Sequence, residues 1–580
     1  MIELQGIAAA SGYAMGPAFI LQDTQVEIIR RTLPPEETEL EIKRLESTVD
    51  QSIAELEELK AWTEETIDEE HAKIFATHIL VLQDEEYIGR AKEMIQNGRI
   101  NAEAALYDAT EEIVALFESM DNEYLRERAA DIRDVSKRMM KHLLGLEADG
   151  LDQVKDPVVL LANDLTPSDT AQLDREKIAG FATNIGGRTS HSAIMARSME
   201  IPAVVGLNEV TSKVKPGDYV ILDGAKGTLL INPPESVIAS YQVLQQQYNA
   251  CMQELKKFHD QPSVTADGHL LEIVSNVGNP QDAYAAKRSG AEGIGLYRTE
   301  FLYMGCESLP SEEVQFDAYK VVAEIFGSTA PVVIRTLDIG GDKELPYMDL
   351  PKEANPFLGY RAIRLCLDRK DIFKTQLRAI LRASAFGNIK LMYPMIATMQ
   401  ELREANSILA EAKQELDKEN IPYNREMEVG MMIEVPSAAL IADILIQEVD
   451  FFSIGTNDLV QYTMAADRMN ERVSYLSEPL NPAILRLIRN VIHAAHQHGK
   501  WVGMCGEMAG NLTAIPILVG LGLDEFSMST GSILSARALM SRLNRAEMQA
   551  LAEEALNMTS AEEIKQYVNN KVPAVAELTL

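Results

Sequence analysis

Basic residues are scarce in this 580-residue sequence, where 54 Lys and Arg face 88 Asp and Glu for a formal net charge of −34. Neutralising a nucleic-acid backbone needs basic surface, so the imbalance speaks against a nucleic-acid partner. It suits either a basic protein partner, through steering and complementarity, or solubility alone. Cysteine is scarcer still. Cys251, Cys306, Cys366 and Cys505 are widely spaced with no CxxC pair, which gives no disulfide framework and fits a reducing compartment. The first residues lack a charged n-region followed by an apolar h-region, so no signal peptide is expected. No apolar run reaches the ~20 residues that span a bilayer. The nearest, Met431–Ile446, is interrupted by Glu434, Pro436 and Asp443. The expectation is a soluble, cytoplasmic protein with no membrane segment.

The length exceeds what one core can organise and predicts roughly three to five domains. A hydrophobic fraction of 46% with 24% charged residues is that of a globular chain, not a disordered or fibrous one. Residues 1–21 read as short strands broken at Gly12 and Gly16. The next block is rich in Glu, Leu, Ala, Lys and Met, with helical spacing at Ile42, Leu45, Val49, Ile53 and Leu56. Polar breaks near Thr66–Glu69, Gln83–Glu86 and Asn97–Asn101 divide it into several helices of a bundle. Alternating strands and helices then return, through VVLLAN, GFATNIGG, IPAVVG, DYVILDG and GTLLINP. The pattern predicts an α/β domain from residues 1–21 and 146–233, a helical insertion over 22–145 and a helical linker over 234–262. Over 263–580 eight strand candidates (LEIVSN, GIGLYR, PVVIRT, IKLMY, VGMMIEV, FFSIG, WVGMC and EFSMS) alternate with helices, the pattern of a (β/α)8 barrel. A doubly wound open sheet is the alternative, but the glycine-rich dinucleotide fingerprint is missing.

In such a barrel the carboxyl ends of the strands converge on one site. Here those ends carry Arg298, Arg335 with Asp338, Glu434, Asn457, Asp458 and Cys505, and Arg361 and Arg468 follow shortly after two of them. Arginines offer bidentate donors for phosphate and carboxylate, so the substrate should be densely anionic. Glu434 and Asp458 offer hard oxygen ligands for Mg²⁺, and a metal with an arginine clamp is what phosphoryl transfer needs. The alternative is that these carboxylates merely pair with the arginines. Cys505 is either a buried core residue or a proton donor to carbon.

His191 follows Gly186-Gly187-Arg188-Thr189-Ser190 and precedes an amphipathic helix. The glycines allow close backbone approach, Thr and Ser can cap the helix, and the helix start favours an added phosphate. Imidazole nitrogen, partly neutral near pH 7, is a good covalent way-station. His493, His496 and His498 have helical spacing but no matching ligand set for zinc.

The run GGRTSHSAIMARSMEIPAVVG closely resembles the phosphohistidine signature of the Enzyme I family of the bacterial sugar phosphotransferase system. MMIEVPSAAL…FFSIGTNDLVQYTMAADR resembles that family's phosphoenolpyruvate and metal signature. The resemblance spans essentially the whole chain, although both motifs are shared with phosphoenolpyruvate synthase and pyruvate phosphate dikinase. It implies a swivelling phosphohistidine domain with His191 phosphorylated, on Nε2. It assigns phosphoenolpyruvate binding to Arg298, Arg335, Arg361, Asn457, Asp458 and Arg468. Glu434 and Asp458 would hold Mg²⁺, with Mn²⁺ an alternative. Cys505 in GMCGEMAG would protonate the enolate to pyruvate, and Thr170 in PSDT would hydrogen-bond the phosphohistidine. The implied partners are the phosphocarrier HPr, docked on the helical insertion around Glu69–Tyr87, and a second copy of the chain joined through the barrel. Four rivals remain. A dikinase or synthase needs an ATP-grasp domain for which no segment is spare. A nitrogen-branch relative would add a sensory domain ahead of residue 1. A scaffold without catalysis would not keep every catalytic position filled, and a metal-dependent barrel lyase acting on oxo acids leaves the histidine motif unexplained.

Overall fold

The computed structural model describes residues 1–21, 28–66, 69–118, 123–145, 156–166, 169–170, 173–174, 177–187, 190–304, 306, 308–341, 345, 347–348, 350–468 and 470–579. The chain divides into two compact units, Met1–Ala250 and Cys251–Leu580. The domain limits expected at residues 22 and 146 lie outside the described residues, as do Ile67 and Asp68 of the first expected helix break.

The first unit opens with β1 (Ile2–Gln5), β2 (Ile7–Ala10) and β3 (Tyr13–Ile20). Five helices follow: α1 (Thr38–Thr66), α2 (Glu69–Leu82), α3 (Glu85–Gly98), α4 (Ala102–Glu118) and α5 (Glu123–Leu144). Then come β4 (Val158–Ala162), β5 (Ile178–Thr183), β6 (Ala203–Val205), β7 (Tyr219–Asp223) and β8 (Thr228–Ile231). The strands form one sheet in the order β1-β8-β7-β3-β4-β5-β6-β2. Since β3 and β4 are parallel neighbours, the helices are an insertion between adjacent strands. They bury their own core, which includes Leu45, Leu56, Phe75, Ile95, Leu106 and Met139. The α3 ends are set locally: the Asp84 carboxylate accepts from the Glu86 N–H, and Arg99 closes the helix in the left-handed region. One expectation needs correction. The first segment is not broken at Gly16, since β3 runs through it and pairs Gly16 with Val220. Glycine there answers a close approach, because a Cβ would lie 3.1 Å from the Pro157 carbonyl oxygen.

The second unit closes all eight expected strands into a parallel barrel: β9 (Glu272–Val277), β10 (Ile294–Arg298), β11 (Pro331–Arg335), β12 (Asn388–Tyr393), β13 (Val429–Ile433), β14 (Phe451–Ile454), β15 (Trp501–Met504) and β16 (Glu525–Met528). Side chains alternate across each strand. One set, including Val332, Ile334, Leu391 and Ile433, joins the large cluster shared with the surrounding helices. The other, Leu296, Val333, Met392, Met432, Phe451 and Cys505, fills the barrel interior. Two residues beyond Val333 and Met432 on that inward side stand Arg335 and Glu434, so the same alternation aims the polar strand ends into the barrel mouth. Among the described residues no helix is long and apolar enough to cross a membrane.

The opposite end of the barrel carries a second polar layer. Glu525 and Glu272 pair in register on β16 and β9, and Lys390 binds Glu428 at 2.7 Å. Glu525 is 1% exposed and neither carboxylate oxygen has a hydrogen-bond partner. Burial, followed by the neighbouring Glu272 charge, pushes its pKa up to about 8, with Asp524 and Glu428 adding to the rise and Lys390 opposing it. A carboxyl whose folded pKa exceeds its unfolded value gives stability that is complete below about pH 4.5 and is lost as pH rises through about 8. The Glu525→Gln chain should therefore gain thermal stability relative to the parent as pH rises from 5 to 8. A melting-temperature difference that stays constant over that range would contradict a neutral Glu525.

Candidate active site

The carboxyl ends of the barrel strands surround a cavity of about 560 Å³. Each of the nine barrel residues singled out from the sequence lines it: Arg298, Arg335, Asp338, Arg361, Glu434, Asn457, Asp458, Arg468 and Cys505. Arg298 and Arg335 end β10 and β11, while Glu434 and Cys505 stand one residue past β13 and β15. Asn457 and Asp458 lie in the first turn of the helix Thr456–Met464 that follows β14.

Two acids hold the arginines in place. Asp338, 1% exposed, accepts from Arg361 Nε at 2.9 Å and Nη2 at 3.1 Å and pairs with Arg335 Nη1 at 3.0 Å. Glu300, equally buried, accepts from Arg335 Nη2 at 2.6 Å. Arg361 also reaches Asp458, with Nη1–Oδ1 at 2.9 Å, and donates to the Tyr462 hydroxyl at 3.1 Å. Arg468 lies 3.8 Å from Asp458. Burial opposes the charge on Arg335 and Arg361, yet the adjoining carboxylates outweigh it and hold both pKa values above the ordinary arginine range. Asp458 is thus paired with arginine, as the structural alternative anticipated. Glu434 is not: its Oε1 accepts from the Met395 N–H at 2.6 Å, and its buried Oε2 has no partner. Glu300 was missed because its arginine comes from the next strand. Asp338 was visible at a strand end but was given no role.

Burial, with the nearby charges of Asp458 and Asp338, pushes Glu434 well above the usual carboxylate range. An orphaned buried carboxylate oxygen facing a second carboxylate fits a hard divalent cation, which would relieve that strain between like charges. Among the described residues no three His, Cys, Asp or Glu side chains form a metal cluster, so such an ion would need further oxygens from substrate or water. Burial raises the Cys505 thiol to about 11, with Ser453 and Arg335 partly offsetting it, so the thiol keeps its proton at neutral pH. Close backbone approach shapes this wall. A Cβ on Gly506 would stand 1.8 Å from Thr456 Oγ1, and one on Gly455 would stand 3.0 Å from Glu434 Oε2.

His191 belongs to the first unit, where it begins the helix His191–Ser198. Ser190 is the N-cap, its hydroxyl accepting from the Ala193 N–H and donating to the Gly187 carbonyl. Arg188 and Thr189 lie outside the described residues, as do Pro167 and Ser168 of PSDT. Thr170 is buried and donates to the Thr166 carbonyl at 3.0 Å. In the same unit the inserted helices carry a groove of about 740 Å³, lined by Val81, Asp84, Glu86, Tyr87, Glu112 and Leu116 among others.

A barrel mouth lined by arginines, with one buried carboxylate oxygen left without a partner, suits a densely anionic substrate. Residues 252–545 match the family described as PEP-utilising enzyme, PEP-binding domain. Residues 5–128 and 154–227 match the N-terminal and mobile domains of PEP-utilising enzymes. The chain is 53% identical to the phosphoenolpyruvate-protein phosphotransferase of Staphylococcus carnosus over 98% of both chains. It is 56% identical to the protein of the same description from Geobacillus stearothermophilus over 97% of each. A solution structure described as Enzyme I is 41% identical, with a TM-score of 0.38, covering 42% of this chain and 99% of its own. The chain belongs to the phosphoenolpyruvate–protein phosphotransferase family, and it is a transferase.

Proposed function

We propose that the protein takes the phosphoryl group of phosphoenolpyruvate onto His191 and passes it to a histidine of the phosphocarrier HPr. Pyruvate is released, and the reaction is the first step of sugar uptake by the phosphotransferase system. The observation that carries this reading is the barrel cavity, which four arginines line together with Glu434, a carboxylate whose buried Oε2 has no hydrogen-bond partner. Arg298, Arg335, Arg361 and Arg468 bind the phosphate and carboxylate of the substrate, and Asn457 donates an amide hydrogen bond. Glu434 and Asp458 would hold Mg²⁺ or Mn²⁺, which when bound supplies charge neutralisation at substrate oxygens. His191 Nε2 attacks phosphorus in line; the P–O bond to the enol oxygen breaks, and that oxygen leaves with its electron pair as the enolate of pyruvate. The Cys505 thiol gives its proton to the methylene carbon, completing pyruvate, and recovers a proton from solvent. Thr170 hydrogen-bonds the phosphohistidine.

His191 then serves as a shuttle between donor and acceptor, which makes motion of its swivelling domain part of the mechanism. The groove on the inserted helices supports HPr docking there, since Asp84, Glu86 and Glu112 beside Leu116 suit a basic partner with an apolar patch. We place the reaction in the cytoplasm and assign the working form to a homodimer joined through the barrel. Incubation with phosphoenolpyruvate labelled in its phosphoryl group, Mg²⁺ and HPr should give an acid-labile phosphate that maps to His191 and moves to HPr. An acid-stable label, or one at another residue, would overturn the reading. Replacing Cys505 with alanine should slow pyruvate formation about 100-fold while phosphoenolpyruvate still binds. Parental turnover would remove Cys505 from the mechanism.

A further inference from the structure

Arg361 and Arg468 reach the cavity from different loops. Arg361 follows the segment after β11, whereas Arg468 follows the helix Thr456–Met464. No single strand fixes the distance between them, and two guanidinium groups repel. Phe357 stands where it can meet both requirements. Its ring centroid is 5.7 Å from the Arg361 Cζ and 5.6 Å from the Arg468 Cζ, within the reach of cation–π attraction for each. The ring is seated against Gly341, where a Cβ would lie 3.1 Å from its Cδ1. The Phe357 carbonyl accepts from the Tyr462 hydroxyl at 2.5 Å, and the same hydroxyl accepts from Arg361 Nη1 at 3.1 Å. Tyr462 sits one helical turn beyond Asp458, so the hydroxyl ties the loop of Arg361 to the helix that presents Asn457 and Asp458.

We propose that Phe357 and Tyr462 are positioning residues: the ring is one platform beneath both arginines, and the hydroxyl locks that platform to the helix of Asn457 and Asp458. The inference rests on the phosphoenolpyruvate reading of this cavity. Neither residue touches the reacting atoms. Their contribution is preorganisation, because a planar anionic group is captured bidentately only when both forks are already oriented.

Phosphoenolpyruvate affinity is measured calorimetrically with Mg²⁺ on the full chain carrying His191→Ala, so that ligand binds without being consumed. Phe357→Leu, which keeps an apolar side chain but removes the aromatic face, should weaken binding about 10-fold. Phe357→Tyr should stay within about twofold, and Tyr462→Phe should weaken binding about threefold. With His191 present, the same factors should fall on KM while kcat stays within about twofold, and melting temperatures should stay near the parent's. Parental affinity in Phe357→Leu, or equal weakening in Phe357→Leu and Phe357→Tyr, would overturn the platform. Parental affinity in Tyr462→Phe would overturn the lock. Failure of the parent itself to bind phosphoenolpyruvate would count against the proposed function, not against the brace.

Discussion

Replacing His191 with alanine is expected to abolish label transfer from phosphoenolpyruvate to HPr, lowering it by about 10⁴-fold or more. The substitution is mild for the fold. His191 is the first residue of its helix, where the backbone N–H has no intrahelical acceptor, and alanine is the best helix former. The N-cap contact is made by Ser190 and does not depend on the histidine side chain. What disappears is the covalent way-station, and a nucleophile is not replaced by neighbouring polar groups. The barrel cavity is built from residues of the other unit, so phosphoenolpyruvate affinity should stay within about twofold of the parent. Binding by calorimetry and transfer by labelling thus separate the two halves of the reaction. Retained label in the His191→Ala chain would sink the assignment of the phosphorylated residue, whatever the affinity.

The barrel was legible in the sequence because its strands are short apolar runs that alternate with helical segments, and each candidate became a strand. Its polar strand ends were legible for the same reason. With period-two alternation, Arg335 falls on the side of Val333 and Glu434 on the side of Met432. What stayed hidden are pairings between elements. Glu300 follows β10 but serves Arg335 on β11, and Phe357 reads as a loop aromatic until the two guanidinium groups are placed around it. Gly16 misled in the other direction, since a glycine in a strand can mark a close backbone approach and not a break. Glu525 shows a further limit. Its place in EFSMS marks a strand, yet only the closed barrel reveals that its carboxylate points inward beside Glu272.

Asp338→Asn should lower kcat/KM for phosphoenolpyruvate by roughly 10²- to 10³-fold, the kinetic equivalent of about 3–4 kcal/mol, within the range lost when a buried ion pair is broken from one side. One carboxylate serves both guanidinium groups, with contacts of 3.0 Å to Arg335 and 2.9 and 3.1 Å to Arg361. Asparagine keeps the size but turns one acceptor into an NH₂ donor, which would face a guanidinium N–H. Arg335 retains Glu300, so its position should be the better preserved. Arg361 retains Asp458 as its carboxylate partner and should hold it more tightly. Asp458 is also a proposed metal ligand, so half-saturation by Mg²⁺ should rise together with KM. That joint shift distinguishes the buried carboxylate from a merely structural one, whose loss would lower the melting temperature without changing the metal requirement. A variant with kcat/KM within about threefold of the parent, or with KM raised and Mg²⁺ half-saturation unchanged, would show that Arg361 is held in the cavity without Asp338 or is not shared between Asp338 and Asp458.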